Sequence, residues 1–465
     1  MLAGPRRSLA GVLSQAGRSV ATRGVSHRPS CPTRSQAGGQ ADGANTVMPR
    51  LMSPGAGSEA EMSEGLLPGR RAFLGACAAT VAASVAPRAQ PRSRETSKVA
   101  NVYERLGLRP VINAAGILTN LGGSLMRPEV KLAMEEASQQ YVQLIELQHA
   151  AAARVAELAR VDAALITSGA AAALLVGTAA CVTKGDPDRV RRLPDVSGLP
   201  DEVIVQRTHR HNFDHAIRNV GVRFVEVETR EELERAIGPR TAMMHFLAYA
   251  DSNGQIRQAD WIAVARRHGI PNFVDAAAEL PPVSNLHAFC DAGFDLVAFS
   301  GGKGLRGPQC SGLLVGRKDL IEAAALNNAP HSDSIGRGCK VGKEEIIGLM
   351  TAVELYVERD HEADRKRWEK IIETWETALR AVPGVILRRR GPENAGPVPY
   401  LSMEWDEART GIGRAEYLTR LSEGEPRIEL WPTRDRGVCA TPFMLEPGQD
   451  VIVGRRLAEV FKSFA

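Results

Sequence analysis

An α/β fold with a mostly parallel sheet, followed by a smaller α+β unit, is what the order of apolar runs in this 465-residue chain predicts. Three observations carry that expectation. Short strand-like runs alternate with helical stretches between about residues 100 and 315. A long helical pattern follows at 343–381, and a last group of short strand runs with two helices closes the chain.

Taken in order, 111–115 is a short apolar run and 127–153 reads as helix. The run Ala163-Ala164-Leu165-Ile166-Thr167 is a buried type of strand, after which Ser168-Gly169-Ala170-Ala171 opens a helix. Strand runs then recur at 203–205, 222–227, 242–246, 272–274, 296–299 and 312–315. Helical stretches at 215–220, 230–237 and 261–268 separate most of them, the rhythm of a sheet covered by helices on both faces. In 343–381, Glu344, Glu354 and Glu358 are interleaved with Ile347, Leu349, Leu355 and Trp368. Strands near 385–387, 400–403, 427–430 and 438–440, with helices at 414–421 and 451–464, give the α+β unit. The division expected is an extension at 1–98, an N-terminal segment and large domain at 99–345, and a smaller domain at 346–465.

The overall charge of +4 is uneven: residues 1–98 hold 13 basic and 5 acidic side chains, leaving 45 and 49, or about −4, for the rest. That balance offers no general attraction for nucleic acid. The seven cysteines, at 31, 77, 181, 290, 310, 339 and 439, show no Cys-x-x-Cys spacing, so neither a disulfide framework nor a structural zinc is expected.

The first 62 residues have no periodic apolar face and read as disordered. Next comes Gly69-Arg70-Arg71-Ala72-Phe73-Leu74-Gly75, an uncharged run at 76–86, then Pro87, Arg88 and Pro91. Paired arginines before a short small-residue core resemble a twin-arginine export signal, with translation starting at Met52 or Met62. That reading implies a periplasmic or exported protein and transient contact with the export machinery. The core is too short for a stable membrane anchor. Two alternatives stand beside it: a mitochondrial-type presequence, since residues 1–40 carry arginines and no acidic residue, or an Ala-rich linker in a cytoplasmic protein.

Three positions carry the chemistry. Lys303, in Ser300-Gly301-Gly302-Lys303-Gly304, sits on a small-residue turn after a strand, where its amine can reach a carbonyl carbon to form a Schiff base. Alone, such a run is a surface loop with a solvated lysine. Asp275 closes the strand run 272–274, at the end where doubly wound sheets place their ligands; there it is suited to a protonated ring nitrogen or to a plain helix N-cap. The Ser168-Gly169-Ala170 turn opens a helix whose free N–H groups and dipole favour an anion. It lies 107 residues before Asp275, which lies 28 before Lys303.

Anion turn, aspartate and lysine in that chain order resemble fold-type I, aspartate aminotransferase-like enzymes that use pyridoxal 5′-phosphate. Two paired motifs, Val111-Ile112-Asn113-Ala114-Ala115-Gly116 with Thr119-Asn120-Leu121-Gly122, and Ser300-Gly301-Gly302-Lys303 with Gly307-Pro308-Gln309, narrow it. They resemble the selenocysteine synthase-like family, which includes the seryl-tRNA selenium transferases and the D-glucosaminate-6-phosphate ammonia-lyase type. The stretch Gly336-Arg337-Gly338-Cys339-Lys340-Val341-Gly342 is similar to the lyase-like branch.

The resemblance assigns roles. Lys303 would hold the cofactor and act as base at the substrate α-carbon, and Asp275 would pair with the ring nitrogen. Ser168, Gly169 and Ala170 would hold the phosphate, with Ser300 as a further contact and Arg306 pairing with phosphate or substrate. Within Thr208-His209-Arg210-His211-Asn212-Phe213-Asp214-His215, His209 is the first choice for stacking on the ring and His211 the second. The spacing of those histidines does not suggest a metal. Thr119, Arg427 and Arg434 are substrate candidates. A homodimer or larger homo-oligomer is implied, with Arg337 or Lys340 as residues that would reach a neighbour's cofactor.

These readings point to α,β-elimination on a small-molecule amine substrate, an amino acid or amino sugar acid. A tRNA substrate is less expected because the family core begins directly after the signal-like stretch and carries a slightly acidic balance. The alternatives are selenium transfer, class V transamination or desulfuration through Cys310, Cys339 or Cys439, and a non-catalytic scaffold.

Overall fold

A computed structural model describes residues 101–390, 398–432 and 437–463, all within one compact unit, Arg94–Ala465. The twin-arginine-like stretch and Arg434 lie outside the described residues.

The first strand, β1 (Val111–Asn113), stands apart from the seven that follow. These are β2 (Ala163–Thr167), β3 (Glu202–Gln206), β4 (Arg223–Val227), β5 (Thr241–Leu247), β6 (Asn272–Asp275), β7 (Leu296–Ser300) and β8 (Gly312–Gly316). They form one sheet in the order β2-β8-β7-β6-β5-β3-β4. Only β8 runs against the others, pairing antiparallel with both β2 and β7. All seven residues of β5 are buried, as expected where helices cover both faces.

Alternation along each strand divides the core. Phe246, Val274 and Phe299 pack on one face with Trp261 and Leu349. Met243, Phe273 and Ala298 pack on the other with Leu174, Val176 and Cys181 of the helix Gly169–Thr183. That helix is buried on nearly every side, so its residues must be small: a Cβ at Gly177 would stand 2.5 Å from the Phe273 ring. Its N-terminus is thereby fixed at the end of β2, level with the ends of the parallel strands.

The remaining strands are β9 (Val385–Arg390), β10 (Tyr400–Trp405), β11 (Arg427–Glu429), β12 (Trp431–Pro432) and β13 (Val438–Ala440). Four of them form an antiparallel sheet ordered β12-β13-β10-β9, packed with the helices His361–Arg380, Arg414–Ser422 and Gln449–Lys462 around Trp375, Tyr417 and Phe461. β1 pairs in parallel with β11, so the segment before Thr119 joins this C-terminal layer although it starts the family-like region.

Two helices are divided where a single run was expected. The first becomes Pro128–Ser138 and Leu144–Ala159; the Ser138 hydroxyl bonds back to the Glu135 carbonyl at 2.6 Å, a side-chain competitor that weakens a helix end. The second becomes Lys343–Glu358 and His361–Arg380, because Asp360 caps the new helix by accepting the Ala363 N–H at 2.9 Å. Among the described residues no helix is long and apolar enough to cross a membrane.

Candidate active site

The carboxyl ends of β5, β6 and β7 and the start of the helix Gly169–Thr183 surround a cavity of about 230 Å³. Gly169, Ala170, His211, Asp275, Ser300 and Lys303 all line it, as do Thr119, Glu279 and Gln309. Residues far apart in sequence thus meet at one crevice, the place where open α/β sheets bind ligands.

Lys303 is carried by the connection between the antiparallel neighbours β7 and β8. The Gly301 N–H donates to Ser311 O and the Gly307 N–H to Gly301 O, both at 2.9 Å, so the loop closes on itself. A Cβ on Gly302 would approach Gln309 Cα to 2.4 Å, which explains the glycine beside the lysine. Gln309 donates to Thr119 O at 2.8 Å and the Ser124 hydroxyl to Gly302 O at 2.9 Å, tying the 119–124 segment to this loop. Burial pushes the Lys303 amine below the ordinary lysine range, against the pull of Asp275 and Glu279. A lowered amine pKa favours the neutral form that attacks a carbonyl or removes a proton.

Asp275 ends β6 and is buried. One carboxylate oxygen accepts the Ala277 N–H at 3.0 Å, and the other lies 3.9 Å from His211 Nε2. Burial pushes this carboxyl up, the Ala277 hydrogen bond acting in the opposite sense. Glu279, four residues on, is also raised by burial and then by Asp275.

The structure reverses the order of preference between the two histidines. His209 does not line the cavity; it is fully buried, accepts the Leu247 N–H on Nδ1 at 3.2 Å, and stands edge-on to Phe246 with ring centroids 4.4 Å apart. Burial holds it at a pKa of about 4, so it is a neutral core histidine. The short 3₁₀ turn Arg207–His209 points the first histidine back into the core and delivers His211 to the cavity. His211 Nδ1 accepts the Phe213 N–H at 3.2 Å, which leaves Nε2 to carry the proton of the neutral ring, between Asp275 and Asp214.

His211, Asp214 and His245 bring ligand-type atoms within 4.8 Å of one another, a different histidine grouping from the sequential 209/211/215 set. Asp214 is ion-paired through Oδ2 with Arg210, which it shares with Glu226, while its Oδ1 is buried without a hydrogen-bond partner. The grouping is a set of buried polar atoms behind the cavity, of which Asp214 alone is held by a cationic side chain.

Two arginines are committed elsewhere. Arg306 donates to Leu125 O at 2.9 Å and pairs with Glu446 at 2.5 Å, so it braces the lysine loop against the C-terminal layer and does not line the cavity. Arg427 donates to Ser422 O at 2.7 Å and approaches Glu429 to 3.5 Å on β11; it too is absent from the lining. Ser168 is the N-cap residue of the helix without a side-chain cap bond, and the next three residues line the cavity.

The residues present fit pyridoxal 5′-phosphate. A buried carboxylate faces the cavity opposite a partly desolvated lysine, and the N-terminus of a 15-residue helix supplies unpaired N–H groups for a phosphate. Lys303 would hold its carbonyl carbon, Asp275 its ring nitrogen, and Gly169, Ala170 and Ser300 its phosphate. When bound, the cofactor supplies an electron-withdrawing ring that stabilises negative charge on the substrate α-carbon.

Fold and site together define a fold-type I, pyridoxal phosphate-dependent enzyme. Residues 215–400 match the class-V aminotransferase family model. The chain is 33% identical to D-glucosaminate-6-phosphate ammonia lyase of Salmonella typhimurium over 334 residues, covering 70% of this chain and 83% of that one. It is 31% identical to a 5′-C-glycyluridine monooxygenase-decarboxylase of a Streptomyces species, covering 79% and 94%. Against the L-seryl-tRNA(Sec) selenium transferase of Moorella thermoacetica the identity is 27%, covering 56% and 58%. A solved structure of D-glucosaminate-6-phosphate ammonia-lyase superposes with a TM-score of 0.68 at 29% identity, over 79% of this chain and 99% of that one. The chain belongs to the selenocysteine synthase-like family of pyridoxal phosphate-dependent enzymes.

Proposed function

We propose that the protein is a lyase that removes the α-proton and a β-substituent from a small amino acid or amino sugar acid. The observation that carries this reading is the meeting of Lys303 and Asp275 in one cavity beside a helix N-terminus. The likeness to an ammonia lyase over most of both chains favours elimination over transamination. In this reading Lys303 takes the α-proton, Asp275 holds the ring-nitrogen proton in place, and His211 covers the ring.

Desulfuration is disfavoured, since none of the described cysteines lines the cavity. Burial also raises the thiols of Cys310, Cys339 and Cys439, the opposite of what a persulfide-forming cysteine needs. A tRNA substrate is disfavoured by the charge of about −4 over residues 99–465. The likeness to a monooxygenase-decarboxylase, covering 94% of that relative, supports a second reading, oxidative decarboxylation.

Release of keto acid and ammonia, assayed anaerobically with no amino acceptor, tests the proposal. Elimination predicts turnover under those conditions. Turnover that requires an acceptor would replace it by transamination, and turnover that requires dioxygen with release of carbon dioxide would replace it by the second reading.

Export by the twin-arginine route belongs to the same proposal, supported by Arg70-Arg71 and the uncharged run that follows. Fractionation of cells producing the Met62-start form and its Arg70→Lys, Arg71→Lys variant tests it; identical distributions would refute it. Assembly into a homo-oligomer is supported by the exposed apolar side chains of Leu132, Tyr141, Val142 and Ile145.

A further inference from the structure

Glu279 is a carboxylate without a partner in the active cavity. It lines the cavity with Lys303 and Asp275, and its side chain makes no hydrogen bond or ion pair among the described residues. Its backbone, by contrast, is held from several sides. The Glu279 N–H donates to Ala276 O at 3.0 Å, and Asn285 Nδ2 donates to Glu279 O at 2.7 Å. The neighbouring Leu280 carbonyl packs so closely on the lysine loop that a Cβ at Gly304 would stand 2.3 Å from it. The residue's backbone is therefore anchored beside the lysine loop, and its carboxyl shares the cavity with Lys303 and is left unpaired.

The groups that face it are Lys303 and Asp275. Burial and the Asp275 charge favour its protonated form, and Lys303 acts in the opposite sense. In its protonated form the carboxyl is a proton donor in the cavity where an elimination needs one. A hydroxyl is a poor leaving group unless a proton reaches its oxygen as the bond breaks.

We propose that Glu279 is the general acid that protonates the oxygen of a departing β-hydroxyl. The proposal rests on the lyase reading. The Lys303 amine takes the proton from Cα, and the Cα=Cβ bond forms from that electron pair. The Cβ–O bond breaks with its pair on oxygen, and the Glu279 proton completes a water molecule. The Lys303 ammonium then returns its proton to the Glu279 carboxylate, restoring both groups. The released enamine is hydrolysed by solvent water to a keto acid and ammonia.

The test compares wild type and Glu279→Gln on serine, threonine and 2-amino-2-deoxygluconate, which lose hydroxyl, and on 3-chloroalanine, which loses chloride without needing a proton. Hydroxyl elimination should fall by about 10²- to 10⁴-fold, and chloride elimination by less than roughly tenfold. Infrared difference spectra of the cofactor-free protein provide a readout independent of turnover: a protonated-carboxyl carbonyl band present at neutral pH in wild type, retained in Asp275→Asn and lost when Glu279→Gln is added to that variant. Equal losses on both kinds of leaving group, or no such band in wild type, overturn the role of Glu279 alone. A wild type that releases keto acid from none of the four probes overturns the lyase reading and the leaving-group assignment with it.

Discussion

Nε2 of His211 and Oδ2 of Asp275 stand 3.9 Å apart, both side chains buried at the edge of the same cavity. The same nitrogen lies 3.5 Å from Oδ1 of Asp214. One imidazole N–H therefore faces two carboxylates, and Asp275, proposed above as the partner of the ring nitrogen, is itself approached by His211.

That arrangement predicts separable effects. Asp275→Asn should lower turnover by about 10- to 100-fold, the cost of losing a hydrogen bond to a charged group. His211→Ala should shift the visible spectrum of the bound cofactor and weaken its retention on dialysis. Unchanged spectrum and retention in His211→Ala would remove His211 from the ring.

Asp275 also predicts a pH dependence in the cofactor-free protein. Its carboxyl is raised by burial, so it contributes stability below its unfolded pKa that is lost as pH rises through the folded one. Asp275→Asn should therefore unfold at higher denaturant than wild type at pH 8, with the difference shrinking toward pH 4. Urea titrations at the two values check the sign.

His245 predicts the opposite slope. It is fully buried, both ring nitrogens lack hydrogen-bond partners, and burial lowers its pKa to about 3. A depressed pKa gives stability that is present above the unfolded value and lost as pH falls below it. Between pH 7 and 5 wild type should lose about 2 kcal/mol through this group, a loss that His245→Leu is spared.

Arg306 braces the lysine loop through Leu125 O and Glu446. Arg306→Ala removes its bonds to Leu125 O and Glu446, and should cost about 1 kcal/mol of stability without changing phosphate-dependent retention of the cofactor. A large loss of cofactor affinity at unchanged stability would return Arg306 to the site.

The sequence made the sheet legible because its strands are continuous apolar runs ended by small residues, as in Phe273-Val274-Asp275 and Ala298-Phe299-Ser300. It also placed Lys303, Asp275 and the turn after Ser168 in the right order. What it concealed were directions. His209 and His211 are two residues apart, and only the 3₁₀ turn decides which of them enters the cavity. Arg427 looks available until Ser422 O accepts its guanidinium. The pairing of β1 with β11 joins segments more than 300 residues apart, and no local pattern announces it. Glu279 was visible as the acidic end of Asp275-Ala276-Ala277-Ala278-Glu279; its lack of partners was not. The helix break at Asp360 did carry a signal, an N-cap residue inside an otherwise helical run.

Whether Lys303 carries the cofactor is tested most directly by incubating the protein with pyridoxal 5′-phosphate, reducing it with borohydride, and mapping the modified peptide by mass spectrometry. The expected result is a yellow protein before reduction and a single stable pyridoxyl adduct on Lys303, absent from Lys303→Ala. A colourless protein that cannot be reconstituted, or an adduct on another lysine with Lys303 unmodified, would contradict it.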